Sequence, residues 1–322
     1  MKITYPRAGL AGLAAAGLIF AGCGSDGDTT SGDGVQVLAA FYPLAFVAEQ
    51  VAGPDASVSN LTQPGVEAHD LELTGQQVGR IASADLIVYL EGFQPAVDTA
   101  VSQNADGAGL NVAEAPTVLD ADDEHADEND ADDEHADEDD GHGHGDLESD
   151  PHVWLDPTNM AAIAQAVADR LAEISPEQAE AFQSRADELA QQLTDLDQEY
   201  SSRLADCERR VFVTSHAAFG YLAHRYDLEM VGMSGIDPEA EPSPARLVEV
   251  QRVVQDEGVT TIFYERLVNP AVAEALANDI GVQTAVLDPI EGLTDETADE
   301  DYFSLMRANL DALEEANGCN SP

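Results

Sequence analysis

Residues 35–53, VQVLAAFYPLAFVAEQVAG, indicate the fold class of this chain. The apolar run at 35–41 predicts a buried strand, and residues 46–52 predict a helix that ends at Gly53-Pro54. Three elements then continue the alternation, with a strand at 57–61, a helix at 74–82 and an apolar strand at 86–90. Strands that alternate with helices predict a parallel sheet covered by helices, the α/β class.

The second half of the chain repeats this alternation. A helix is predicted at 158–174 behind Pro157, and Ser175-Pro176-Glu177 begins another that runs to about residue 204. Strands are predicted at 211–214, 230–231, 261–264 and 283–287, and helices at 217–226, 245–257, 271–280 and 301–316. The sequence therefore predicts two α/β lobes, residues 35–156 and 175–322, each with a mainly parallel sheet flanked by helices. A single long helix at 157–174 would join them.

The charge balance of the 322-residue chain excludes some classes of partner. Hydrophobic residues make up 44% of it, enough for real cores, but 63 acidic residues stand against 13 Lys and Arg. The net charge of -50 argues against nucleic-acid binding, which needs a basic face, and against adsorption to anionic lipid. It fits a solvated acidic surface that attracts cations.

The N-terminus has the pattern of an export signal. Lys2 and Arg7 precede the apolar run 8–22, which is short for a membrane span and leads into Phe20-Ala21-Gly22-Cys23. This ending resembles a bacterial lipobox, which implies a lipoprotein signal peptide at 1–22 and lipidation of Cys23; an ordinary cleavage site is the alternative. Residues 23–34 are Gly-, Ser- and Asp-rich and are expected to form a flexible tether.

A segment of low complexity interrupts the first lobe. Residues 120–150 contain a repeated ten-residue unit, 121–130 and 131–140, followed by Gly-His-Gly-His-Gly. Such a composition cannot bury a core, so a disordered loop is predicted. The loop contains four histidines that could bind zinc weakly, or could be incidental to a solvated spacer: His125, His135, His142 and His144.

Two further cysteines, Cys207 and Cys319, predict a disulfide if the chain is exported. The bond would tie the C-terminal tail to the start of the second lobe. Metal ligation is a weaker alternative, because the sequence has no Cys-x-x-Cys spacing.

The remaining four histidines lie outside that loop. His69, His152 and His216 are predicted in loops at strand ends, and Asp288 follows the last strand. Ligands of open α/β sheets bind at the carboxyl ends of the strands, and three imidazoles with one carboxylate complete a tetrahedral zinc shell. The sequence alone does not show that the four converge. His224 is predicted inside a helix, where a structural role is expected.

Several motifs carry a family resemblance: FYPLAFVAEQVAG at 41–53, GVEAHDLELT at 65–74, DPHVWLDP at 150–157, SHAAFGYLAHRY at 215–226, EAEPSPARL at 239–247 and LDPI at 287–290. Together they resemble the zinc/manganese solute-binding receptors of ABC importers, over the chain from about Val35 to its end. The resemblance implies a metal site between two lobes linked by one rigid helix. It also implies a monomeric, extracytoplasmic lipoprotein that is not an enzyme and that delivers metal to a membrane permease.

By this resemblance the metal ligands are His69, His152, His216 and Asp288. His216 stands where manganese members tend to carry a glutamate, so Zn²⁺ is expected rather than Mn²⁺. Some zinc members use a glutamate directly before the first histidine, but this chain has Ala68 there. Glu67 and Asp70 are therefore expected to support the ligand side chains without binding the metal themselves.

Other functions remain open from the sequence. A secreted zinc hydrolase would need an open coordination position, and neither an HExxH nor a GxSxG motif occurs. A surface adhesin or a metallochaperone with structural zinc is a second alternative, and a manganese receptor of the same fold is a third.

Overall fold

Two four-stranded parallel sheets organise the computed structural model, which describes residues 34–115 and 150–320. The first sheet has the order β2-β1-β3-β4, from β1 (Val35–Ala39), β2 (Ala56–Asn60), β3 (Leu86–Tyr89) and β4 (Gly109–Asn111). The second has the order β6-β5-β7-β8, from β5 (Val211–Thr214), β6 (Glu229–Gly232), β7 (Thr261–Tyr264) and β8 (Gln283–Val286). The predicted fold class, two parallel α/β lobes, is confirmed.

Helices cover both sheets. The first lobe contributes α1 (Tyr42–Ala52), α2 (Gly75–Ile81) and α3 (Pro95–Asn104). The chain then forms α4 (Pro157–Ile174) and α5 (Ala179–Arg203), followed by α6 (Gly220–Arg225), α7 (Pro244–Asp256), α8 (Ala271–Ile280) and α9 (Tyr302–Asn317). Helix α1 begins four residues before its predicted start, because Pro43 lies in its first turn, where a missing N–H costs nothing. Helix α3 and strand β4 were not predicted from the sequence.

The strand order places a switch point in each lobe. In the second sheet the chain passes from β5 outward to β6 and then returns to β7 on the other side of β5. The loops after β5 and β7 therefore diverge from neighbouring strand ends, which leaves a crevice where ligands of such sheets bind. The loops after β1 and β3 have the same relation in the first sheet.

The long helix α4 has clear start signals and a continuous apolar face. The Asp156 side chain accepts the Thr158 backbone N–H at 2.7 Å, and Pro157 occupies the first turn. Its buried residues recur at helical spacing: Met160, Ile163, Ala164, Val167, Ala168 and Leu171. This face packs against α5 and α1, which makes α4 part of the main core.

Helix α5 holds elements of both lobes together. Arg185 donates to the carbonyls of Val51 and Ala52 at 2.7 and 2.8 Å, at the end of α1. Near the other end of α5, the buried Tyr200 hydroxyl donates to the Met306 carbonyl in α9. A second, smaller core lies in the second lobe and includes Val213 and Ile262.

A disulfide between Cys207 and Cys319 closes the second lobe. It joins the segment after α5 to the second residue beyond the end of α9, so the predicted pairing is confirmed. Among the helices that the structure describes, no stretch has the length and apolar character needed to cross a membrane.

Candidate metal centre

Three histidines and one glutamate converge between the two sheets: His69, His152, His216 and Glu291. His69 lies in the loop after β2, and His152 immediately precedes the short 3₁₀ turn Val153–Leu155 that leads into α4. His216 lies two residues beyond β5, and Glu291 lies in the loop after β8. Four separate chain segments therefore each contribute one side chain to a single point.

The distances within this cluster fit a tetrahedral metal shell. Glu291 Oε1 lies 3.2 Å from His152 Nε2, 3.4 Å from His69 Nε2 and 3.7 Å from His216 Nε2. The Nε2 atoms of His152 and His216 are 3.4 Å apart. Ligands about 2.0–2.1 Å from a tetrahedral Zn²⁺ are separated by about 3.3 Å, which is close to these spacings.

Two of the histidines are oriented by buried carboxylates. His152 Nδ1 lies 2.6 Å from Asp150 Oδ1, and His216 Nδ1 lies 2.6 Å from Glu265 Oε1. With Nδ1–H donating to a carboxylate, each Nε2 presents its lone pair to the centre of the cluster, the usual support of a metal-bound imidazole. Glu265 directly follows β7, so this pair lies at the switch point of the second sheet.

The electrostatics of the cluster favour a bound cation. Burial by itself would lower the pKa of His152, but Asp150 and Glu291 outweigh it and raise this pKa to about 9. Burial would raise the pKa of Glu291, but hydrogen bonds from His152 and His69 outweigh it and lower this pKa. The metal-free site thus holds a buried carboxylate beside a protonated imidazole, and a divalent cation would replace the proton.

The surroundings of His69 differ from those of the other two histidines. Its side chain is 12% exposed, whereas those of His152 and His216 are fully buried. The His69 ring packs edge-on against Phe93, with centroids 4.6 Å apart. Glu67 accepts the backbone N–H groups of His69 and Asp70 at 3.0 and 3.1 Å, and burial raises the Glu67 pKa. Glu67 thus supports the backbone of this loop, and Asp70 is exposed.

The structure does not bring Asp288 into the cluster. Its Oδ1 accepts the backbone N–H of Ile290 at 2.8 Å, and its Oδ2 pairs with Arg266 Nε at 3.2 Å. Burial raises the Asp288 pKa to about 6. The carboxylate of the cluster belongs to Glu291, three residues further along in LDPIEG. Glu291 was not predicted as a ligand, because Asp288 stands nearer to the strand end and the only signal in the sequence was a second acid in the same loop.

The remaining candidate residues lie elsewhere. His224 is an exposed residue of α6 and is outside the cluster. The four loop histidines and Cys23 lie outside the described residues: His125, His135, His142 and His144 belong to the segment 116–149, and Cys23 to 1–33.

The fold and this site together are those of a two-lobed solute-binding protein, and comparisons with known proteins agree. The family model "Zinc-uptake complex component A periplasmic" (ZnuA) matches residues 37–316. The high-affinity zinc uptake system protein ZnuA of Bacillus subtilis is 33% identical over 318 residues, which cover 96% of this chain and 97% of that protein. The chain belongs to the ZnuA family.

Longer proteins are also related to the chain. The zinc-binding protein AdcA of Streptococcus pyogenes is 35% identical over 285 residues, 87% of this chain but only 55% of AdcA. The chain thus matches about half the length of this relative. The crystal structure of the Zn(II)-bound ZnuA-like domain of Streptococcus pneumoniae AdcA superposes with a TM-score of 0.72 at 31% identity, covering 88% of this chain and 99% of that domain.

Proposed function

We propose that this protein binds one Zn²⁺ through His69, His152, His216 and Glu291 and delivers it to an ABC-type importer in the cell membrane. The observation that carries the proposal is the convergence of three imidazole nitrogens and one carboxylate oxygen within 4.8 Å of one another, with Glu291 Oε1 3.2–3.7 Å from the three Nε2 atoms. The names of the Bacillus and Streptococcus relatives support it, because both describe zinc uptake or zinc binding.

The donor set favours zinc over manganese. Three imidazoles and one carboxylate suit Zn²⁺, whereas Mn²⁺ favours a larger number of oxygen ligands. The same set argues for a receptor rather than an enzyme, because four protein ligands leave no open position for a catalytic water.

The proposed location is outside the cytoplasm, with a lipid on Cys23 as the membrane anchor. The Cys207–Cys319 disulfide supports an oxidising compartment, and the lipobox-like Phe20-Ala21-Gly22-Cys23 supports the anchor. The name zinc-binding lipoprotein, given to AdcA of Streptococcus pneumoniae, is consistent with this location. The permease is proposed as the partner because the matching family describes one component of an uptake complex.

Metal titration of the stripped protein tests the binding step. Wild-type protein should bind one Zn²⁺ tightly and Mn²⁺ far more weakly, and His216→Ala should remove the tight zinc site. His224→Ala is the matched control, because His224 lies in the same lobe but outside the cluster. Tighter binding of manganese, or full zinc affinity in His216→Ala, would contradict the proposal.

Growth of the host under zinc limitation tests the delivery step. Deletion of the gene should slow growth in chelator-treated medium, and added zinc should restore it. A plasmid copy of the wild-type gene should also restore growth, whereas Glu291→Ala should not. Equal rescue by both copies would show that delivery does not depend on this site.

A further inference from the structure

The turn that leads from β8 to Glu291 is fixed at Asp288, the second residue beyond the strand. The Asp288 N–H donates to Asn309 Oδ1 at 2.8 Å, and Asn309 Nδ2 donates to the Asp288 carbonyl at 2.6 Å. Asn309 belongs to α9 and is buried. Asn309 therefore binds both the N–H and the carbonyl of Asp288. The direction of the chain beyond Asp288 then depends on the next two residues, Pro289 and Ile290.

Ile290 adopts a backbone conformation that is unfavourable for its type. Its φ is +60°, and it is a fully buried β-branched residue. Such residues rarely occupy the left-handed region unless their surroundings impose it. Here the Ile290 N–H donates to Asp288 Oδ1 at 2.8 Å, and the preceding Pro289 carbonyl accepts Trp154 Nε1–H at 2.7 Å.

The conformation of Ile290 determines where Glu291 lies. Residue 291 is the next in the chain, so a return of Ile290 to negative φ would turn the Glu291 side chain away from the three histidines. Beyond Glu291 the same loop is held again, where the Leu293 carbonyl accepts the Gly65 N–H from the first lobe at 2.7 Å.

We propose that Asp288 is a positioning residue for the metal site: its Oδ1 holds Ile290 in the left-handed conformation, and this places the Glu291 carboxylate among His69, His152 and His216. The inference rests on the proposed zinc function. Asp288 would then set zinc affinity and coordination geometry without touching the metal, since its two oxygens are engaged by Ile290 and Arg266.

Conservative variants separate the geometry of this side chain from its charge. Asp288→Asn keeps a short acceptor for the Ile290 N–H but removes the charge, so it should stay within about threefold of wild-type zinc affinity. Asp288→Glu keeps the charge but displaces the acceptor, and Asp288→Ala removes both. These two variants should lose about tenfold or more in zinc affinity, in the range measured for residues that support a ligand. If Asp288→Ala does not fold, the difference in zinc affinity between Asp288→Asn and Asp288→Glu still tests the inference.

Two readouts separate positioning from a general structural effect. The visible absorption of Co²⁺-loaded protein should change in Asp288→Glu and stay unchanged in Asp288→Asn, because it reports ligand geometry. In a Glu291→Ala background, Asp288→Ala should cause no further loss of zinc affinity, since Asp288 acts through Glu291. Asp237→Ala is the matched control: it removes a similar hydrogen bond, from the Glu239 N–H to Asp237 Oδ1 at 2.9 Å, in an exposed loop.

Three results would overturn the inference. The first is wild-type zinc affinity in both Asp288→Ala and Asp288→Glu. The second is an equal loss of zinc affinity in Asp288→Asn and Asp288→Glu. The third is a loss of zinc affinity on adding Asp288→Ala to Glu291→Ala that is as large as the loss in the wild-type background. Failure of the wild-type protein to bind zinc would instead overturn the proposed function, so the two failures are distinguishable.

Discussion

His152 Nε2 and Glu291 Oε1 lie 3.2 Å apart, although the two residues are separated by 139 positions in the chain. His152 precedes the long helix α4, and Glu291 follows the last strand of the second sheet. The contact therefore joins the two lobes directly at the proposed ligand atoms. A metal bound at this point would link them more strongly, because each lobe supplies part of its coordination shell.

The Glu265 carboxylate, which accepts a hydrogen bond from His216 Nδ1, should contribute strongly to zinc affinity. Glu265→Gln weakens the hydrogen bond to His216 Nδ1 and so lowers the basicity of Nε2, and we expect a 10–100-fold loss of zinc affinity, as found for such residues elsewhere. Competition with a chelator of known affinity measures the loss. Glu257→Gln, an exposed change at the end of α7 in the same lobe, serves as the control. Zinc affinity within twofold of wild type in Glu265→Gln would contradict this role.

The stability of the metal-free protein should fall as pH rises above neutral. The folded-state pKa of His152 is about 9, above its ordinary value of 6.5, so the folded protein holds this proton more tightly. The resulting stabilisation is complete below pH 6.5 and is lost as pH rises through 9, a decrease in unfolding free energy of up to about 3 kcal/mol. Denaturant unfolding across this pH range measures it. A pH slope in His152→Gln equal to that of wild type would show that His152 is not the group responsible.

Much of the fold, but less of the candidate site, could be predicted from the sequence. Buried strands such as 211–214 and helix 271–280 carry clear apolar patterns with turn residues at their ends. Helix α3 was missed because Val97 and Val101 are the only large apolar residues in the sequence 95–104, too few to give a clear helical pattern. His69, His152 and His216 could be chosen because they follow strands or border the long helix.

Glu291 could not be chosen in the same way. Its position depends on the positive φ of Ile290, and no periodicity rule predicts that conformation for a β-branched residue. Asp288, which directly follows the strand predicted at 283–287, was the more obvious carboxylate. Glu265, the carboxylate that orients His216, was missed for a related reason, because it approaches His216 only through the strand order β5-β7.

Removal of the disulfide should lower stability while leaving zinc binding intact. The bond spans 112 residues, so a Cys207→Ser/Cys319→Ser variant should lose about 5 kcal/mol of unfolding free energy on the loop-closure argument. Neither cysteine belongs to the cluster, so zinc affinity should remain within about threefold of wild type. Parallel unfolding and zinc-titration experiments check both statements, and a large loss of zinc affinity would contradict the second.

The His-rich acidic segment should be accessory to the tight site. Deletion of residues 120–149 should leave one tight zinc site and remove only weaker binding, as judged by titration. The deletion must stop before Asp150, because the Asp150 carboxylate orients His152. Asp150→Ala should therefore weaken the tight site where the deletion does not. Loss of tight binding in the deletion variant would show that the segment supplies essential ligands.

The most direct test is anomalous diffraction at the zinc edge from crystals of the zinc-loaded protein. We expect one strong peak about 2.0–2.1 Å from the Nε2 atoms of His69, His152 and His216 and from a Glu291 oxygen, with no bound water. A peak coordinated by Asp288 instead of Glu291, or an open site with a bound water in place of one protein ligand, would contradict it.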